Sequence, residues 1–243
     1  MTGHDAVDSP AVDEFDSTPA RPHSRRERKA YYASMPKPKV RGWIHAIMAP
    51  LSLANGIVLI VFAPSAGVRW ASVIFAISAV VLFGNSGFYH LGNWGDRVRA
   101  VLRRIDHANI FLLIAGTYTP LSVMLLPTNT ATLVLGIVWT GAVIGTLIHV
   151  FHLNAPRWIL VALYIALGWV AIWFLPDFGA SGGVAIVALL LAGGVAYTVG
   201  AIFYALRWPN PWPRWFGFHE FFHVGTVAGY ACHSVAVWLA IFS

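Results

Sequence analysis

Seven stretches of this chain are continuously apolar for about twenty residues each, and no other feature limits its fold so strongly. A helix needs about 20 apolar residues to cross the ~30 Å hydrocarbon core of a bilayer. The runs lie at roughly 43–64, 69–91, 105–126, 131–152, 158–175, 183–206 and 217–242. Between them stand turn-forming breaks such as Ala63-Pro64-Ser65, Pro127-Thr128-Asn129, Asn154-Ala155-Pro156, Pro176-Asp177-Phe178-Gly179 and Pro209-Asn210-Pro211-Trp212-Pro213. Apolar and polar residues do not alternate within the runs, which speaks against a membrane β-barrel. Charge confirms the solvent: only 11% of residues are Asp, Glu, Lys or Arg, against about 25% in soluble domains. Of those 26 charges, 14 precede residue 42, so the rest of the chain lacks the surface that water requires. The pattern predicts an all-α membrane protein, a seven-transmembrane helix bundle at 41–243 behind a disordered cytosolic tail at 1–40.

The basic residues set the orientation. Assigning Lys and Arg to alternate sides of the seven runs puts fifteen on one side and only Arg69 on the other. Positive charge is retained in the cytoplasm, which predicts a cytoplasmic N-terminus and a C-terminus outside the cell membrane. The same reasoning absorbs the net charge of +6, so nucleic acid is not an expected partner. No apolar run precedes Trp43, so the tail does not read as a signal peptide. Trp43, Trp70, Trp94, Trp158, Trp212 and Trp215 fall near run ends, as an interfacial belt does. The single cysteine, Cys232, permits neither an internal disulfide nor a Cys-rich metal site.

The chemical signal is histidine. A polar side chain in hydrocarbon is costly unless paired, yet the chain carries ten histidines. Seven of them, His45, His90, His107, His149, His152, His219 and His223, fall near the cytoplasmic ends of the runs, whereas His233 lies well along the last. His219 and His223 stand at i and i+4, on one face of a helix, which suits a shared metal. Zinc takes neutral imidazole, and catalytic zinc commonly has three protein ligands. His90 ends the second run at matching depth, with Ser86 one turn earlier on the same face. Asp106 begins the third run at that depth, placed either to act beside a cation or to pair with Arg103 or Arg104. His149 and His152 form a rival pair beside a loop, and water-facing side chains are the simpler account of them.

Three segments carry a family resemblance: Ser86-Gly87-Phe88-Tyr89-His90; Arg104-Ile105-Asp106-His107 continuing through Ala115-Gly116-Thr117-Tyr118-Thr119-Pro120; and His219-Glu220-Phe221-Phe222-His223. In order and spacing they resemble the signatures of the hemolysin III family, within the progestin and adipoQ receptor superfamily that includes the adiponectin receptors. The resemblance covers about residue 41 onward. It implies a seven-helix fold with a cytoplasmic N-terminus, and zinc held by His90, His219 and His223. It also implies that Asp106 acts on a water at the zinc, with Ser86 one layer out from the metal.

The activity expected on this basis is zinc-dependent hydrolysis of a lipid amide or ester, with membrane lipid as substrate or ligand. A different class is a non-enzymatic cytolysin or pore-former, or a sensor in membrane lipid homeostasis with a structural zinc. No run shows the continuous polar stripe that a pore lining needs. His219 to His223 also matches the H-E-x-x-H pattern of zinc proteases, which would make Glu220 a general base. That alternative leaves Ser86, His90 and Asp106 without roles.

Overall fold

The computed structural model describes Ser24, residues 37–151 and residues 157–242. The tail at 1–40 lies outside the described residues for nearly all its length, as do His152 and the break at Asn154-Ala155-Pro156. Among the described residues the protein is all-helical, with one isolated bridge between Trp212 and Phe216 in place of any strand. The helices are α1 (Trp43–Phe62), α2 (Ala66–Leu91), α3 (Asp96–Leu125), α4 (Thr128–Phe151), α5 (Arg157–Gly168), α6 (Leu175–Leu206) and α7 (Phe218–Phe242). A 3₁₀ segment, Trp169–Phe174, joins α5 to α6.

Among the described residues, six helical stretches are long and apolar enough to cross a membrane, because the fifth and sixth apolar runs are one helical stretch, Trp158–Leu206. The break anticipated at Pro176–Gly179 is helical instead. Pro176 sits in the first turn of α6, where a backbone N–H has no intrahelical partner to lose. The backbone departs from the helix further on, at Gly183, with φ 73° and ψ 176°, a conformation that only glycine adopts without strain. Helix α3 begins at Asp96, nine residues before the apolar run does, with that acidic side chain in its first turn where it complements the helix dipole.

The outer faces are apolar. Ile47, Leu51, Ile57 and Val61 on α1, and Leu133, Ile137, Ile144 and Leu147 on α4, are exposed, an arrangement stable only where the solvent is hydrocarbon. Lipid tails give helices little hydrophobic reason to associate, so small residues and hydrogen bonds hold them together. Asn55 of α1 does so towards α7. Its amide nitrogen donates to Tyr230 Oη at 3.0 Å and to Ser234 Oγ at 2.9 Å, and its oxygen accepts from Trp238 Nε1 at 2.9 Å. The irregular backbone of the 3₁₀ segment is satisfied from α3. Tyr118 Oη donates to the Gly168 carbonyl and accepts from Ala171 N, both at 2.7 Å, as backbone at membrane depth demands.

Consecutive helices pack side by side from α1 to α4 and again from α6 to α7, and α7 closes against α1 and α3. This brings the C-terminal end of α2 to the N-terminal end of α7. Asn55→Ala removes three interhelical hydrogen bonds, each worth roughly 0.6 kcal/mol in a membrane. It is expected to lower stability by about 2 kcal/mol, read as a lower unfolding midpoint in detergent.

Candidate metal centre

Each candidate ligand sits at the end of a helix. His90 is the penultimate residue of α2, and His219 and His223 lie in the first two turns of α7. One ring nitrogen from each of the three lies within 4.8 Å of the other two, a group able to hold a metal ion. His90 Nε2 and His219 Nε2 face each other at 3.2 Å. Two imidazole nitrogens that share a tetrahedral zinc at about 2.0–2.1 Å are separated by roughly 3.3 Å. The pair therefore has the span of co-ligands, and three neutral imidazoles form a recognised donor set. His90 and His223 are buried, 6% and 1% exposed, and His219 between them is half-buried.

The carboxylate lies beside it. Asp106 of α3 places Oδ2 3.7 Å from His90 Nε2, and the Ser86 hydroxyl hydrogen-bonds to Asp106. Asp106 thus faces the histidines, and its pairing with Arg103 or Arg104 is not found. Ser86, Asp106, His219 and His223 line one small cavity with His45 and His107.

Glu220 points elsewhere. Its Oε1 accepts from Arg41 Nε at 2.7 Å and its Oε2 accepts from Gly217 N at 2.8 Å, just ahead of α7. Both carboxylate oxygens are engaged in a fully buried setting, so the side chain ties α7 to the segment before α1 and satisfies an orphan N–H at a helix start. Nothing in this geometry equips it as the base of a protease. The same segment holds α2: Lys37 Nζ donates to the His90 carbonyl. It also reaches the loop before α7 through Lys39, whose N donates to Arg214 O at 3.0 Å and whose ammonium lies 4.4 Å from the centre of the Trp215 ring. Gly42, with φ 90°, lets this segment turn into α1 against α2; a Cβ there would come within 2.7 Å of His90 Cβ.

The remaining histidines divide by partner. His107 Nδ1 donates to Arg103 O at 2.7 Å, leaving Nε2 to accept from Tyr204 Oη at 2.9 Å. His149 stacks on His107 with ring centroids 5.0 Å apart. His233 Nε2 donates to Leu190 O at 3.2 Å. None of these three joins the metal-capable group. Arg41 and Lys37 carry no motif, and only the tertiary contacts disclose what they do.

The family described as Haemolysin-III related matches residues 33–234. The "Hemolysin-3 homolog" of Bacillus subtilis (strain 168) is 35% identical over 165 residues, spanning 66% of this chain and 76% of its own. "Hemolysin-3" of Bacillus cereus is 34% identical over 162 residues, 66% of this chain and 74% of its own. The "Heptahelical transmembrane protein ADIPOR2" of Oryza sativa subsp. japonica is 28% identical over 188 residues, 70% of this chain and 81% of its own.

Removing the buried carboxylate leaves the Arg41 guanidinium, 21% exposed, and the buried Gly217 N–H without their partner. Glu220→Ala is therefore expected to lower the unfolding midpoint in detergent sharply. An unchanged midpoint would contradict the anchoring role.

Proposed function

Because the chain belongs to the haemolysin-III related family and presents three converging imidazoles beside a carboxylate, we propose that it is a zinc-dependent membrane hydrolase that cleaves amide or ester bonds of lipids. One observation carries this reading. The small cavity at the histidines shares Leu82, Ile110, Phe222 and Thr226 with a larger, mainly apolar cavity that continues past Ile114 and Trp169. An acyl chain lying there brings its polar linkage up to Asp106 and the three histidines.

His90, His219 and His223 hold the zinc. When bound, zinc polarises a carbonyl and lowers the pKa of water to about 7. Asp106 Oδ2 takes the proton of the attacking water and returns it to the leaving nitrogen or oxygen. Ser86 holds that carboxylate in register by its hydrogen bond, and the apolar walls keep bulk water from the reacting carbonyl.

In this reading the chain crosses the plasma membrane seven times, with a solvated tail at 1–40 in the cytoplasm, a transmembrane domain at 41–243 and the C-terminus outside. The fifteen-to-one partition of basic residues supports that orientation. The count is supported by the 49-residue stretch Trp158–Leu206, which straightened would measure about 74 Å against a ~30 Å core. The non-helical backbone at Gly183 offers the reversal. The word "heptahelical" in the rice relative's name agrees.

The name of the Bacillus cereus relative favours a second reading, a cytolysin or lipid sensor with zinc in a structural role. Asp106 is then the fourth ligand. Its absence from the group of mutually close donors supports the proton-transfer role instead.

His219→Ala with His223→Ala is expected to reduce zinc in the purified protein from about one equivalent to background; unchanged zinc would remove the site. Asp106→Asn should keep the zinc and slow fatty-acid release from N-acyl lipids by about 10²–10⁴-fold, the usual contribution of a proton-transfer group. Zinc loss in that variant, together with dye leakage from liposomes and no fatty-acid release, would establish the second reading. A tag on the C-terminus should be cleaved by protease added outside intact cells, and one on the N-terminus should not.

A further inference from the structure

His45, the third residue of α1, is 2% exposed and lies face to face on His223, with ring centroids 3.8 Å apart and planes inclined by 10°. Its far side is closed by Phe83 of α2, edge-on at 5.1 Å. Phe83 in turn meets Tyr230 of α7 at 5.2 Å, and Tyr230 is pinned by Asn55. A ladder of rings thus runs from α7 through α2 and α1 back to the metal-capable trio.

A metal-binding histidine is normally oriented through its second ring nitrogen, which donates to a carboxylate or carbonyl. His223 Nδ1 is buried and has no such partner. The χ2 torsion of histidine is broad and roughly two-fold, so the plane of this ring needs another constraint. His45 supplies a ring face, and the one polar contact of its imidazole, with the His223 backbone, does not reach hydrogen-bond geometry at either nitrogen. It also lies outside the group whose nitrogens approach one another within 4.8 Å.

We infer that His45 is a positioning residue that fixes the ring plane of His223 by stacking and thereby sets the affinity of the trio for its metal. The inference rests on the metal reading of His90, His219 and His223. It assigns the work to the aromatic face of His45 and none to its nitrogens, which makes phenylalanine the conservative replacement.

The test uses the full chain in detergent micelles, stripped by chelator and titrated with Co²⁺ by visible absorption and with Zn²⁺ by competition. His45→Phe is expected to bind both ions within about threefold of the parent, with the same Co²⁺ spectrum. His45→Leu should bind about 10–100-fold more weakly, the loss typical when the support of a ligand is removed, with helix content unchanged. Phe83→Leu, which removes the ring behind His45, should weaken binding in the same direction and serves if His45→Leu does not fold. A His45→Phe variant as weak as His45→Leu would overturn the inference by making the imidazole nitrogens the agents. Parent-like affinity in His45→Leu and Phe83→Leu would overturn it by making stacking irrelevant. A parent protein that takes up neither ion removes the metal reading itself, an outcome separate from either of those.

Discussion

The ion pair between Arg41 and Glu220 is the constraint on which the site depends. The carboxylate is withdrawn from water next to a metal-capable histidine, while the arginine keeps 21% of its side chain exposed, and close geometry and hydrogen bonding must offset the desolvation. Both conditions are met. One carboxylate oxygen meets the guanidinium at 2.7 Å and the other caps the start of α7. Through Lys37 the same short segment grips the end of α2. The helix bearing His90 and the helix bearing His219 and His223 are therefore fastened to one piece of chain, and their rings meet because their backbones cannot drift apart.

Behind that fastening, packing follows the rules of a lipid solvent. Apolar side chains face outward as well as inward, where Phe75, Phe83, Phe111 and Phe178 fill the core, and small or hydrogen-bonded residues lie where helices meet. Ser52, Ser72, Ser78, Ser86 and Ser122 are all buried, because a small side chain lets helices approach, and the hydroxyls of Ser52 and Ser78 bond to carbonyls three residues back in their own helices. The rings of Tyr230, Phe83, His45 and His223 add a stiffer element. The interior is packed ring on ring at His45 and His223 and more open further along, where apolar walls enclose the larger cavity. In the proposed reading, that contrast holds a polar linkage at the histidines and leaves an acyl chain in the larger cavity.

Much of this was legible in the residues. Apolar runs separated by Pro and Gly clusters announced the helices, since no other backbone survives in hydrocarbon without a closed barrel. Matching depth along those runs singled out His90, Ser86, Asp106, His219 and His223. Where the reading departed from the structure, local signals were ambiguous. Pro176 looks like a breaker but fits the first turn of a helix, while Gly183, one of 22 glycines, carries no local mark that the helix is interrupted there with φ 73°. Glu220 completes a protease-like motif whose meaning changes once Arg41, 179 residues away, is seen to hold it.

By itself, the sequence determined the solvent of this protein, its helical class and the depth at which its polar chemistry lies. Each follows from composition and periodicity along a single strand of residues. Which histidines share a point, which carboxylate faces them and which is spent on an arginine were decided only by tertiary structure. Depth is a coordinate along one helix, whereas convergence also needs the rotation of each helix about its axis and the identity of its neighbours. Contacts between residues more than a hundred positions apart set those quantities, and no local pattern encodes them.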